Sequence, residues 1–318
     1  MAAGLLDCVT IGESMLRFDV DPATSLEDVR DLRVFVAGAE SNVAVTLSRL
    51  GRRAAWISRL PDDPLGRRVD RDLRAHGVDT SRVTWEKDGR LGCYYTQLAV
   101  PPRAATVLYD RRGSSFSRLA PDGVDWEFVH GARVLHLTGI TPALGEGPAA
   151  VVGRALQEAR GSGQWVSFDL NYRGKLWSAE RARDTLLPLL PTCDLLICSR
   201  RDAQTVFGLA GSPEDVGRDL WHLARSRCLV LTLGGEGAGV FDGKRWLTVP
   251  AVAAPTVDPI GRGDAFAAGV IYGVLTEDSV DAGVRFGVRL AALKQTFRGD
   301  VAWVTPQDLR DRDGGIDR

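Results

Sequence analysis

Short apolar, β-rich runs recur along the chain at 8–11, 54–58, 134–138, 165–170, 195–198 and 229–233. Between them, stretches at 41–50, 65–76, 148–160, 179–190, 201–207, 214–224, 265–275 and 280–296 carry apolar residues at helical spacing. Strand-like and helix-like segments in alternation predict an α/β fold, a doubly wound and mainly parallel sheet with helices on both faces. Two segments break the rhythm. Residues 13–36 and 90–110 alternate apolar and polar positions (Met15, Phe18, Val20; Tyr95, Gln97, Ala99; Val107, Tyr109) with no helix between them. That pattern predicts antiparallel strands outside the main sheet, forming a small β lid. No internal repeat or low-complexity tract interrupts 1–318, so a single domain is expected, with only the charged tail 308–318 frayed.

Composition narrows the function classes. Forty basic and forty-one acidic residues leave a net charge of -1, which favours neither nucleic acid nor an acidic membrane as partner. No apolar run approaches the length of a membrane span, and the first residues lack a basic leader, so a soluble, cytoplasmic protein is expected. The five cysteines contain no C-x-x-C pair and read as free thiols, mostly in the core. Four scattered histidines form no zinc-binding pattern. The four lysines, at 87, 175, 244 and 294, never follow Gly and precede Ser or Thr, which excludes a Walker-type phosphate loop. Gly12 follows the first strand without a Gly-x-Gly-x-x-Gly turn, which argues against a dinucleotide-dependent dehydrogenase.

The segment richest in chemistry runs Asp258-Pro259-Ile260-Gly261-Arg262-Gly263-Asp264 into a helix. Glycines allow a tight turn, and a helix start points unpaired N–H groups at whatever precedes it, making an anion hole of Gly261, Arg262 and Gly263. Asp264 at its mouth is placed to take a proton from a substrate hydroxyl; taken alone, it also suits a helix cap. Gly38-Ala39-Glu40-Ser41-Asn42 opens an earlier helix, with small residues that admit a polyol and an Asn42 amide for a hydroxyl. By itself that segment also suits a turn with a cap.

Together, the two motifs and the β excursions resemble the ribokinase-like (PfkB-type) sugar kinases, from about residue 9 to 308. Tyr109-Asp110-Arg111-Arg112-Gly113-Ser114-Ser115, Leu135 through Leu144, and Asp169-Leu170-Asn171-Tyr172-Arg173 look specifically like 2-keto-3-deoxygluconate kinases. The resemblance implies ATP-dependent phosphorylation of the 6-hydroxyl of 2-keto-3-deoxygluconate, with Asp264 as the catalytic base. It implies a sugar pocket of Gly38, Ala39, Asn42, Tyr94, Tyr109, Arg111, Ile140, Arg173 and Asp300, in which Arg111 and Arg173 hold a carboxylate. It implies nucleotide contacts at Asn171, Arg173, Ser199, Thr232, Gly234, Gly237, Gly261 and Gly263. Mg²⁺ is implied, with Asp202 acting through water, as are a homo-oligomer paired through lid strands and, in some relatives, activation by a monovalent cation. Ser199 and Asp202 stand where the family often carries Asn and Glu, and Arg262 where it has a small residue. Fructokinase, ribokinase, nucleoside kinase and 2-keto-3-deoxygalactonate kinase activities stay open, as does a catalytically silent sugar sensor.

Overall fold

The structure, a computed structural model, describes residues 6–98 and 100–309; Ala99 and nearly all of the charged tail lie outside the described residues. In chain order the strands are β1 (Leu6–Ile11), β2 (Met15–Asp19), β3 (Arg33–Ala37), β4 (Ala54–Ile57), β5 (Arg59–Pro61), β6 (Thr84–Glu86), β7 (Cys93–Gln97), β8 (Thr106–Asp110), β9 (Ala132–Thr138), β10 (Trp165–Asp169), β11 (Leu195–Ser199), β12 (Cys228–Thr232), β13 (Ala238–Phe241) and β14 (Trp246–Val249). The main sheet has the order β14-β13-β12-β11-β10-β9-β1-β4. It is parallel from β4 to β12 and ends in an antiparallel edge of β13 and β14.

Successive residues of each strand face opposite sides, as the two-residue period requires. Val9 and Ile11 enter one apolar cluster, with helices Glu146–Ala159 and Pro213–Ala224; Cys8 enters the other, with helices Ala39–Arg49 and Arg262–Glu277. That is the double winding expected from the alternation. Beside β1 the strand order reverses: the chain passes to β4 on one side and later to β9 on the other. In such sheets the crevice beyond the carboxyl ends of the strands at this switch is where ligands bind.

The lid is a separate sheet of order β3-β2-β7-β8, built from the two predicted excursions. Its outer pairs are antiparallel, but β2 and β7 run parallel. They come from different excursions, separated by β4 to β6 and two helices, so no hairpin links them and nothing enforces opposite directions. The helix expected over 179–190 stops at Leu186 and tightens into a short turn at Leu190–Thr192, because Pro188 brings no N–H to the helical ladder. Among the described residues, no helix is long and apolar enough to cross a membrane.

Candidate active site

The sheet's carboxyl edge gathers the chemistry. Register pairs Thr138 with Asp169 at the ends of β9 and β10, and Ser199 with Thr232 at the ends of β11 and β12. Against this edge lies the helix Arg262–Glu277, which starts differently from most others. Asp63, Ser178, Ser199, Ser212 and Ser279 each cap the helix that follows with a side-chain oxygen. Gly261 supplies no side-chain cap. It adopts φ 82°, and a Cβ there would stand 2.0 Å from the carbonyl oxygen of Asp300, so glycine is required both by conformation and by space. A Cβ on Gly263 would meet nothing within 4 Å, leaving open space over the first turn. Uncapped N–H groups under open space, at the positive end of the helix dipole, are the parts of an anion site. Arg262 does not fill it, since its guanidinium reaches Gln295 Oε1 at 3.3 Å.

Asp264 sits buried in that first turn and accepts a 2.7 Å hydrogen bond from Asn42 Nδ2, which joins the two helix starts singled out in the sequence. Burial pushes its pKa up to about 6, against the pull of the Asn42 bond and the Arg173 charge. Asp169 is raised to about 8 by burial and by the charges of Asp264 and Asp202. Asp202 is also raised, first by burial, with Ser199 and Arg173 opposing. Arg173 therefore faces three crowded carboxylates. It is exposed and forms no ion pair within 4 Å among the described residues, so its guanidinium is free to meet phosphate. The Asp169–Arg173 motif by itself assigns Asp169 no role; the signal for it is its position at the last residue of a central parallel strand. Glu40, between Ala39 and Asn42 in the earlier helix start, accepts from Thr138 and Thr141 at 2.7 and 2.8 Å, and burial raises it to about 7.

The other expected residues divide. Gly38 and Ala39 lie half-exposed at the start of the helix bearing Asn42, but a Cβ on Gly38 would meet the Glu13 carbonyl at 2.3 Å, so its smallness serves the protein's own backbone. Ile140 follows β9, its N–H bonded to Thr138. Tyr94 and Tyr109 stack with centroids 5.3 Å apart on the lid. The Tyr94 hydroxyl donates to Asp300 at 2.8 Å, and the other Asp300 oxygen binds Arg17 at 3.0 Å, so Asp300 is occupied by the protein itself. Arg111 is committed as well: its Nε donates to Glu13 at 2.8 Å, and a second nitrogen pairs with the same oxygen. Ser199 Oγ caps its helix by accepting from Asp202 N at 2.9 Å, and Asn171 bonds Asp169 through its N–H at 3.0 Å. Thr232, Gly234 and Gly237 form the turn of the β12–β13 hairpin. Gly234 leaves open space, whereas Gly237 is pressed against the Val249 carbonyl.

For a base to work, Asp264 must be ionised, so activity that depends on it is expected to fall as pH drops through about 6. Asn42→Leu removes a bond that favours the ionised form, and the acid limb of the kcat profile is expected to move to higher pH. A limb unmoved in that variant would separate Asp264 from the titration.

Residues 5–305 match the pfkB family carbohydrate kinase. Over 98% of its length the chain is 40% identical to 2-dehydro-3-deoxygalactonokinase of Haloferax volcanii, covering 99% of that protein. It is 32% identical to 2-dehydro-3-deoxygluconokinase of Thermoproteus tenax, over 94% of the chain and 91% of the relative. The crystal structure of 2-dehydro-3-deoxygluconokinase from Thermotoga maritima superposes with a TM-score of 0.89 at 30% identity, covering 96% of this chain and 97% of that one. Fold and matches together define a carbohydrate kinase. The chain belongs to the pfkB family, and its doubly wound sheet with a small separate sheet is the ribokinase-like fold.

Proposed function

We propose that this kinase transfers the γ-phosphoryl of ATP to the terminal 6-hydroxyl of a six-carbon 2-keto-3-deoxyaldonate. The galacto epimer is the preferred substrate, which revises the gluco epimer expected from the motifs. The observation that carries the transfer chemistry is Asp264, buried and held by Asn42 at the mouth of an uncapped helix. From there its carboxylate takes the hydroxyl proton as that oxygen attacks phosphorus. The first-turn N–H groups after Gly261 receive the negative charge of the transferring phosphoryl. Arg173, beside Asp169, Asp202 and Asp264, belongs to this transferring end. It is therefore badly placed to hold a carboxylate at the far end of the same sugar.

That task falls to the lid. Arg111 and Lys175 each lie 5.8 Å from the Tyr109 ring, and the Arg111 edge not bonded to Glu13 remains for an acid head group. The galacto preference is supported by the 40% identity to the Haloferax volcanii enzyme, against 32% for the gluconate kinase. Exposed Leu108 on the lid edge strand β8 favours pairing with the lid of a second copy.

Among the described residues no group of three or more His, Cys, Asp or Glu is placed to hold a metal ion. Asp169 and Asp202 nevertheless fit Mg²⁺ as it binds in kinases, through one or two carboxylates with phosphates and water completing the shell. When bound, Mg²⁺ would neutralise charge on the phosphates and offset the Asp264 and Asp202 charges that add to burial in raising Asp169.

A coupled ADP-release assay on 2-keto-3-deoxygalactonate, 2-keto-3-deoxygluconate, fructose and ribose tests the assignment. The two acids are expected to exceed the neutral sugars in kcat/KM by at least about a hundredfold, because only a carboxylate can use the Arg111 edge that Glu13 leaves open. Fructose or ribose leading would remove the acid-sugar assignment, and no ADP with any of the four would favour a silent sensor.

A further inference from the structure

Lys294 ends the helix Val280–Lys294 with no exposed surface, far from where a lysine is ordinarily found. Its Nζ donates to two main-chain carbonyls, Asp258 at 3.0 Å and Phe297 at 3.3 Å. Those bonds belong to a larger grip. The Gln295 carbonyl accepts from Val257 N at 2.8 Å and Asp258 N at 3.1 Å, and its side chain binds Ala254 O at 2.8 Å and Arg262 at 3.3 Å. Gly299 N donates to the Asp258 carboxylate at 3.0 Å. The end of one helix thus fastens the segment leading into the start of another, the helix with the uncapped N–H groups.

Within this grip the lysine is the expensive component. Stripping water from an ammonium costs several kcal/mol, and a methionine would fill the same space without that cost. Burial draws the Lys294 pKa down, while the charges of Asp258 and Asp300 oppose it. An apolar side chain, however, donates nothing to the Asp258 carbonyl, and Asp258 lies just ahead of Gly261, where a small rotation re-aims every N–H group that follows.

We propose that Lys294 is a positioning residue for phosphoryl transfer, its ammonium pinning the Asp258 carbonyl so that the Gly261–Asp264 turn presents its N–H groups to the phosphoryl group. This rests on the transfer chemistry assigned to that turn. Lys294 touches no substrate; it acts through the backbone. Its loss should therefore appear in kcat rather than in sugar binding, since an ångström of misplacement near the reacting atoms costs up to about a hundredfold.

Lys294→Met keeps the length and removes the donor, whereas Lys294→Ala opens a space lined by carbonyl oxygens that an ammonium ion can enter. In Lys294→Met, kcat is expected to fall about 10- to 100-fold with the sugar KM within about twofold of wild type. Amide hydrogen exchange in a peptide covering 256–266 is expected to accelerate while other peptides do not change. Ammonium chloride is expected to restore part of the Lys294→Ala rate, and tetramethylammonium chloride at equal ionic strength to restore none. The proposal is overturned by wild-type kcat in a folded Lys294→Met, by unchanged exchange at 256–266, or by failure of both variants to fold in any salt, which would make Lys294 a folding residue only. If the wild type phosphorylates no sugar while exchange at 256–266 still accelerates in Lys294→Met, the tether stands and the transfer chemistry falls.

Discussion

Asp264→Asn is expected to lower kcat by roughly 10²- to 10⁴-fold, the range for removing a general base, with little change in the sugar KM. The substitution preserves shape and leaves an oxygen for the Asn42 amide that now donates at 2.7 Å. It should not weaken the fold. A carboxylate raised to about 6 favours the folded state at pH below its unfolded value, near 4, and loses that contribution as pH rises through 6. At pH 8 the ionised group is a burden, so its neutral replacement is expected to unfold in urea at the same concentration as wild type or higher. A folded variant with near-normal kcat would end the role assigned to this residue.

Arg17→Met is expected to destabilise the protein by about 3–5 kcal/mol in urea denaturation. Arg17 lies on the lid strand β2 with none of its surface exposed, and it holds Asp19 at 3.1 Å, Asp258 at 2.8 Å and Asp300 at 3.0 Å. Its Nε also donates to Thr96 at 3.0 Å. Without the guanidinium three buried carboxylates lose their shared counter-ion and keep only neutral donors, among them Thr96, Gly299 N and Tyr94. Adding Asp300→Asn to Arg17→Met should cost less than the sum of the single changes, because the second substitution removes one stranded charge. A loss under about 1 kcal/mol would mean that solvent or rearrangement satisfies the carboxylates. Asp258 and Asp300 adjoin the Gly261 turn, so this network also ties the lid sheet to the start of the helix Arg262–Glu277.

Most of the fold was legible because its signals are local. The runs at 134–138 and 195–198 are β-rich and short, and became central strands buried on both faces, and Ser212 and Ser279 precede helices they cap. The glycine-rich turn at 234–237 suits a hairpin and a nucleotide loop alike, and the structure makes it the β12–β13 hairpin that begins the antiparallel edge. The parallel β2–β7 pairing could not be read at all, since register between distant segments leaves no local mark.

The site shows the same division. Asp264 and Asn42 stand out in short motifs, and the structure joins them. Both Asp300 oxygens are bonded to the protein, to Arg17 and Tyr94, and Arg111 keeps for a sugar only the edge that Glu13 does not bind. Neither partner lies near in sequence: Glu13 is 98 positions from Arg111, and Arg17 is 283 from Asp300. A charged residue in a motif advertises its chemistry but not its counter-ion. Lys294 illustrates the converse, an ordinary position in a helical run whose burial only the fold creates.

A crystal structure of the protein with 2-keto-3-deoxygalactonate and a non-hydrolysable ATP analogue tests the central claim most directly. The expected result is a 6-hydroxyl oxygen about 2.6–3.2 Å from an Asp264 carboxylate oxygen, the γ-phosphate on the first-turn N–H groups after Gly261, and the sugar carboxylate at Arg111. A sugar bound with its carboxylate toward Asp264, or phosphates held away from that turn, would contradict it.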